Sequence, residues 1–164
     1  MTVAYLGLGA NLGDRRAAIA RALDALDAAG VRIAARSPLY ETDAVASDPQ
    51  PHYLNAAARV ETALTARALL AACRNVESAL GRVRPPGRPA AARTIDVDLL
   101  LHGDAVIAEP PDLVVPHPRL LERPFVRIPL ADVALPGLVH PVTREPLDRA
   151  PPAPSVRRLP GTGG

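Results

Sequence analysis

The stretch from Arg93 to Leu101 constrains the fold of this chain most strongly, because after the arginine it is β-branched and aliphatic apart from two carboxylates. Such a run predicts a buried strand, in which alternate side chains point to opposite faces. One face is expected to hold Ile95, Val97, Leu99 and Leu101, and the other Thr94, Asp96 and Asp98. The sequence therefore predicts two aspartates side by side at the edge of a hydrophobic core.

Asp96 and Asp98 need a positive partner at this place. Residues two apart on a strand have Cα atoms ~6.5–7 Å apart, so their carboxylates can converge on shared cations. Two neighbouring anions at the edge of a core are costly unless a positive charge lies between them. Mg²⁺ is typically held by one or two carboxylates together with substrate phosphates. We therefore predict a magnesium–phosphate site, with a solvent-facing strand side as the alternative that remains open.

Arginine supplies all the basic side chains of this chain, since the 19 basic residues include no lysine. This excludes a phosphate-binding lysine and a Schiff-base lysine. Four arginines lie within residues 82–93, directly before the aspartates. Taken alone, that segment would be a solvated basic loop. Next to Asp96 and Asp98 it is better interpreted as a loop that closes over a polyphosphate, because guanidinium groups match phosphate oxygens.

Composition bounds the remaining possibilities. The chain is 48% hydrophobic over 164 residues, which predicts one domain over 1–150 and a flexible Pro/Gly/Arg tail over 151–164. No apolar segment approaches the ~18–20 residues of a membrane helix. No signal peptide is evident, and one cysteine, Cys73, excludes an internal disulfide. We expect a cytoplasmic protein without a membrane partner.

The periodicity of apolar residues predicts alternating strands and helices. Strands are expected over 2–8, 31–40, 53–63 and from residue 94, and helices over 15–29 and 65–80. Thr65 is expected to cap the second helix. This β-α-β-β-α-β order predicts an α+β, ferredoxin-like sheet with both helices packed on one face. After residue 116, a C-terminal extension of short elements is expected.

Five segments together resemble one enzyme family. They are Gly9–Gly13, Pro51–Ala56, Glu77–Arg84, Arg93–Leu101 and Val115–Phe125. In series, with this spacing, they are similar to 6-hydroxymethyl-7,8-dihydropterin pyrophosphokinase of folate biosynthesis, over residues 2–140. The resemblance implies a ferredoxin-like fold and a reaction that uses ATP and two Mg²⁺ ions. It also implies that the pterin hydroxymethyl oxygen attacks the β-phosphorus of ATP, which gives the pterin diphosphate and AMP.

The resemblance also implies roles for particular residues. The metal ligands would be Asp96 and Asp98, which count as catalytic together with Arg82 and Arg93. The nucleotide contacts would be Glu77, Arg84, His117 and Arg123. The pterin contacts would be Thr42, Tyr53, Asn55 and Phe125.

Three departures from the family pattern bear on this interpretation. Ala90-Ala91-Ala92 stands where the family often has tryptophan, glycine and proline. Residues 43–48 lack the usual proline and glycine, and the 82–93 loop is one residue longer than in some relatives. We therefore expect retained chemistry with weaker pterin binding.

Two other classes of protein stay open at this point. One is a family member that binds pterin or ATP without turnover. The other is a ferredoxin-like nucleic-acid binder, although three Tyr and one Phe leave few rings for base stacking. We expect a monomer that acts on small-molecule substrates and binds no nucleic acid.

Overall fold

A computed structural model describes residues 1–11, 14–42, 53–81 and 95–160. Its strands are β1 (Thr2–Ala10), β2 (Arg32–Arg36), β3 (Tyr40–Thr42), β4 (Leu54–Thr62), β5 (Asp96–His102), β6 (Ile107–Glu109), β7 (Leu113–Val115) and β8 (Val156–Arg158). Its α-helices are α1 (Arg15–Ala28), α2 (Ala66–Gly81) and α3 (Pro124–Val133), and a short 3₁₀ helix spans Leu120–Glu122.

The main sheet is antiparallel throughout and has the order β5-β1-β4-β3-β8, with β2 also pairing with β4. A separate two-stranded sheet joins β6 and β7. The last long strand, β5, thus lies beside the first, and β4 lies on the other side of β1. This is the strand order of a ferredoxin-like sheet, so the predicted fold class is confirmed.

The sheet buries a different apolar cluster on each face. Leu23 of α1 and Leu69 and Cys73 of α2 pack with Leu6 and Leu8 of β1 in the larger cluster. On the opposite face, α3 contributes Leu130 and Val133, which pack with Tyr5 and Leu100. The prediction that the first two helices share one face is confirmed, and a third helix covers part of the other face.

Local capping explains where the two long helices begin. The Asp14 carboxylate accepts the Ala17 N–H at 3.1 Å, and the Thr65 hydroxyl accepts the Ala68 N–H at 3.1 Å. Each bond satisfies one of the N–H groups that a first helical turn leaves unpaired. Gly30 comes after α1 with a φ of 87°, a conformation that glycine adopts without strain. The predicted cap at Thr65 is confirmed. None of the helices in the described ranges is long and apolar enough to cross a bilayer.

The predicted side-chain alternation of β5 is wrong for Leu101. Ile95, Val97 and Leu99 lie in the larger cluster as expected, but Leu101 lies in the smaller one with Tyr5 and Leu100. The register explains this, since Tyr5 pairs with Leu101 while Leu6 pairs with Leu99. Leu100 is therefore an extra residue in a β-bulge, and a bulge reverses the facing of the residues after it.

The C-terminal segment packs more than its composition predicts. Within the segment 151–164, for which the sequence predicts a flexible tail, Val156–Arg158 form β8 and pair with Tyr40–Thr42 of β3. Leu159, just beyond, packs against the larger apolar cluster. The proline-rich sequence itself does not predict a strand here, and β8 forms because β3 provides hydrogen-bond partners for its backbone.

Candidate active site

A cleft of about 520 Å³ opens on the face of the sheet that carries α3. Its floor comes from β1, β4 and β5, and its walls come from the end of β3 and from the segment around the start of α3. It is lined by Gly7, Gly9, Thr42, Tyr53, Asn55, Asp96, Asp98, Arg119, Glu122, Arg123 and Phe125, together with the apolar residues Leu8, Ala56 and Val126. Seven of these are site residues that the sequence predicts: Thr42, Tyr53, Asn55, Asp96, Asp98, Arg123 and Phe125.

Asp96, Gly9 and Asn55 form one row across the floor of the cleft. Gly9 of β1 pairs with Asp96 of β5 on one side and with Asn55 of β4 on the other. Adjacent strands are ~4.8 Å apart, so the Cα atoms of Asp96 and Asn55 lie roughly 10 Å apart. A Cβ on Gly9 would come within 3.4 Å of Asn55 Oδ1. The glycine therefore leaves an open passage between the carboxylate and the amide.

The amide of Asn55 is held in place by the neighbouring strand. Its Nδ2 donates to Thr42 Oγ1, and the backbone N–H of Thr42 donates to the carbonyl of Tyr53 at 3.0 Å. Asn55 is 5% exposed, so its side chain can contact a ligand only from within the cleft. An amide has two N–H donors and one oxygen acceptor, which leaves one donor and the acceptor for a ligand with an amide-like edge.

Two aromatic rings contribute to the same cleft. Tyr53 is 41% exposed, while Phe125 is partly buried in the first turn of α3. The Arg123 guanidinium lies 5.7 Å from the centre of the Phe125 ring, within cation–π range. Flat heterocycles bind well against aromatic faces. The cleft thus combines an apolar wall, a fixed amide and a positive charge.

Asp96 and Asp98 lie at the β5 side of the cleft, and both are partly exposed. Among the described residues, no group of three or more histidine, cysteine, aspartate or glutamate side chains is placed to hold a metal. Two carboxylates on one face of a strand are nevertheless the protein donor set that Mg²⁺ uses when substrate phosphates complete its coordination. These residues therefore fit Mg²⁺ bound together with a phosphate ligand.

A second cavity, of about 160 Å³, lies next to the cleft and shares Asp98 with it. Arg74 of α2, His117 and residues of β7 line it. Burial lowers the pKa of His117, and the nearby Arg123 and Arg119 act in the same direction although Asp98 opposes them. His117 Nδ1 accepts the Arg119 N–H at 3.2 Å, so the neutral ring carries its proton on Nε2. Arg74 and a neutral histidine donor suit a polar, anionic ligand.

Glu77 lies outside both cavities, although the sequence predicts that it contacts the nucleotide. It is 8% exposed, and its Oε2 accepts the Val97 N–H at 2.9 Å. Its other oxygen accepts from Arg74 Nη1 at 2.9 Å. Both carboxylate oxygens are thus engaged by protein groups.

The predicted arginines Arg82, Arg84 and Arg93 lie outside the described residues. The loops 43–52 and 82–94, on which the family departures fall, lie there too. Conversely, sequence reasoning missed Arg119 and Glu122 at the cleft, Arg74 at the second cavity and the role of Gly9. The signal for Arg74 was its position three residues before Glu77, where the two side chains pair on one helix face.

A carboxylate pair on one strand, facing an aromatic-walled cleft and next to a cavity lined by arginine and histidine, is the arrangement expected of a phosphotransferase. A model of the 7,8-dihydro-6-hydroxymethylpterin-pyrophosphokinase family matches residues 5–135. The 2-amino-4-hydroxy-6-hydroxymethyldihydropteridine pyrophosphokinase of Methylorubrum extorquens is 45% identical over 140 residues, which cover 85% of this chain and 86% of that protein. The chain belongs to this family of pyrophosphokinases.

Two longer proteins match the chain as well. The folic acid synthesis protein fol1 of Schizosaccharomyces pombe is 38% identical over 162 residues, which cover 98% of this chain but 21% of that protein. A crystal structure of Plasmodium falciparum HPPK-DHPS superposes with a TM-score of 0.68 at 15% identity and covers 90% of this chain and 42% of that one. The chain therefore spans less than half the length of these two relatives, and the second of them supports the fold alone.

Proposed function

We propose that this cleft transfers a pyrophosphoryl group from ATP to the hydroxymethyl group of 6-hydroxymethyl-7,8-dihydropterin. The hydroxymethyl oxygen forms a bond to the β-phosphorus, and the bond between that phosphorus and the oxygen bridging to the α-phosphate breaks. The products are the pterin diphosphate and AMP, and the hydroxyl proton is released. The observation that supports this proposal is the row of Asp96, Gly9 and Asn55, in which a carboxylate suited to a metal–phosphate ligand lies across one glycine from an amide suited to a ring edge.

The pterin would occupy the side of the cleft nearest β3 and β4. Asn55 would bind the amide-like edge of the ring through its remaining N–H and its carbonyl oxygen. Tyr53 and Phe125 would contact the flat faces, and Thr42 would keep the amide of Asn55 in this orientation. The hydroxymethyl group would then extend over Gly9 towards Asp96, where the absence of a side chain leaves room for it.

The nucleotide would occupy the second cavity and extend its phosphates past Asp98 into the cleft. His117 and Arg123 would donate to it, as would Arg74, which lines the cavity. The arginines of the preceding segment, Arg82, Arg84 and Arg93, complete the proposed phosphate contacts. Phosphoryl transfer depends mainly on positioning and on charge neutralisation, so no side-chain nucleophile is required.

Asp96 and Asp98 would hold two Mg²⁺ ions together with the ATP phosphates. Bound there, the metal ions neutralise phosphate charge and lower the pKa of a coordinated hydroxyl. The chain's own contribution is to fix the two carboxylates on one face of β5.

Because all the proposed contacts come from this chain and its substrates are small, we propose that it acts as a monomer in the cytoplasm. Size-exclusion chromatography at working concentration tests the monomer.

The decisive experiment measures AMP formation from ATP and Mg²⁺, with and without the pterin. Wild-type protein should form AMP only when the pterin is present, and Asp98→Ala should abolish this activity. Asp104→Ala is the matched control, since Asp104 is an exposed turn residue just beyond β5 and does not line the cleft. Pterin-independent AMP, or full activity in Asp98→Ala, would overturn the proposal. Folded protein that binds ATP without forming AMP would indicate a binding protein instead.

A further inference from the structure

The C-terminal strand β8 does not line the cleft, but it pairs with β3, a short strand that does. That strand has three residues, of which Thr42 lines the cleft. A strand this short is marginal when it has only one partner. In the described part of the chain, β3 lies between β4 and β8, so β8 provides its second row of hydrogen bonds. We propose that β8 is a positioning element for the pterin-binding wall, an inference that rests on the function proposed above.

The backbone ladder shows how β3 divides its hydrogen bonds between its neighbours. Thr42 donates to Tyr53 across the β4 side, whereas the Leu39 carbonyl accepts from the Leu159 N–H at 2.9 Å on the β8 side. In an antiparallel ladder, hydrogen-bonded pairs alternate with pairs that are not bonded. Glu41 and Arg157, two residues along from Leu39 and Leu159, are therefore a hydrogen-bonded pair. The N–H of Arg158 points to the side of β8 that faces away from β3.

Side chains of β3 connect it to two helices at the same time. The Glu41 carboxylate pairs with Arg15, the first residue of α1, at 3.0 Å and with Arg157 of β8 at 3.4 Å. The Tyr40 hydroxyl donates to an Asp132 carboxylate oxygen in α3. Burial and this hydrogen bond raise the pKa of Tyr40 to about 12, so the phenol remains a donor at neutral pH. Strand β8 thus completes a set of contacts that holds β3 against the body of the protein.

The consequence for the cleft arises through Thr42. Its hydroxyl accepts from Asn55 Nδ2, so a displacement of β3 would release the amide proposed to recognise the pterin. The nucleotide cavity is lined by residues of α2, β5 and the segment 111–118, and none of these belongs to β3. Loss of β8 pairing should therefore weaken pterin binding and leave nucleotide binding intact.

The experiment compares two proline substitutions in the full-length chain. Arg157→Pro removes an N–H that bonds to β3, while Arg158→Pro removes the same charge but an N–H that faces away, where proline is tolerated. Affinity for 6-hydroxymethyl-7,8-dihydropterin is measured with Mg²⁺ and a non-hydrolysable ATP analogue, and affinity for the analogue is measured separately. Hydrogen exchange of the Tyr40–Thr42 amides reports the pairing without reference to activity.

Arg157→Pro should raise the pterin Kd about tenfold, the equivalent of about 1.4 kcal/mol, while kcat and the affinity for the ATP analogue stay within about twofold. Arg158→Pro should behave as wild type. Faster exchange in β3 with unchanged pterin affinity would overturn the inference and leave the proposed function standing, whereas wild-type protein that binds no pterin would overturn both. If Arg157→Pro does not fold, Arg157→Ala is compared with Arg158→Ala: both keep the backbone N–H, but only Arg157→Ala removes the ion pair that attaches β8 to Glu41 of β3. Equal pterin affinities in these two variants would overturn the inference.

Discussion

Glu77 accepts the backbone N–H of Val97 at 2.9 Å, and Val97 lies between the two aspartates of β5. Strand β5 is at one end of the main sheet in the described part of the chain, so this N–H faces away from its partner β1. A side chain from α2 thus performs the role of a missing neighbouring strand. Because Glu77 also pairs with Arg74, it links the part of β5 that carries Asp96 and Asp98 to a side chain that lines the second cavity.

Replacing Glu77 should therefore affect stability and metal use together. Glu77→Ala leaves a buried N–H without an acceptor, which costs about 1–3 kcal/mol in the free energy of unfolding. Glu77→Gln keeps an oxygen acceptor for this N–H and should lose less unfolding free energy. Urea unfolding measures the loss of stability. The Mg²⁺ concentration for half-maximal AMP formation measures metal use, and it should rise more in Glu77→Ala than in Glu77→Gln.

Glu61→Ala is the matched control, because Glu61 pairs with Arg32 at 2.7 Å on a surface where Arg32 is 69% exposed. Exposed pairs of this kind contribute at most about 1 kcal/mol. Equal losses of unfolding free energy in Glu61→Ala and Glu77→Ala would show that the Glu77–Val97 hydrogen bond contributes no more to stability than an exposed ion pair.

Gly9→Ala tests whether the passage between Asn55 and Asp96 must stay open. The nearest atom to a new Cβ would be Asn55 Oδ1 at 3.4 Å, so the fold should tolerate the methyl group. The methyl would, however, stand on the floor of the cleft, and we expect pterin affinity to fall about tenfold or more, the equivalent of about 1.4 kcal/mol. Gly7→Ala is the comparison within the same cleft, since Gly7 also lines it but its Cβ would meet the Leu100 side chain at 3.5 Å and not the Asn55 amide. Equal losses of pterin affinity in both variants would contradict the specific role proposed for the space over Gly9.

Phe125 should bind the pterin through the face of its ring. Phe125→Ala is expected to weaken pterin binding by about 1–2 kcal/mol, from lost stacking and lost apolar contact. Phe125→Leu keeps apolar volume without the ring and should give an intermediate loss. Because the chain has no tryptophan, pterin fluorescence can follow the titration with little protein background. A leucine variant that binds as tightly as wild type would argue against stacking.

Stability should fall as the pH decreases below the ordinary histidine pKa of 6.5, because burial lowers the pKa of both His117 and His140. Between the unfolded and the folded pKa, the unfolded chain binds more protons, so acid favours unfolding. His140 Nδ1 also accepts from Val142 and Thr143, each at 3.2 Å, which requires that nitrogen to be unprotonated. Urea unfolding at pH 7.5 and pH 5.5 checks the direction, and His117→Gln should reduce the difference.

The local pattern of apolar residues correctly predicted the strands and helices that bury one regularly spaced apolar face. Leu54, Ala56, Ala58 and Val60 alternate along β4, and all four lie in the larger cluster as expected. The helical spacing of Leu69, Cys73 and Val76 placed α2 correctly. These positions are set by the hydrophobic effect acting over a few residues, which is the information that a sequence carries locally.

Relationships between distant residues could not be predicted in the same way. The bulge that turns Leu101 to the other cluster arises from the register of β5 against β1, and register is a property of two strands. Strand β8 depends on β3, and its proline-rich surroundings show no alternation. The row through Gly9 likewise requires three strands to be aligned before Asn55 and Asp96 become neighbours.

The burial of Cys73 offers a practical advantage for following this enzyme at work. Its thiol is fully buried in α2, and burial together with Glu77 raises its pKa to about 12. Thiol reagents act on the thiolate, so the native chain should be inert to maleimide dyes at neutral pH. A single cysteine placed at an exposed residue such as Val106 or Val142 would then carry one dye alone. Pairs of such labels could report intramolecular distances during turnover, with no native thiol to remove first.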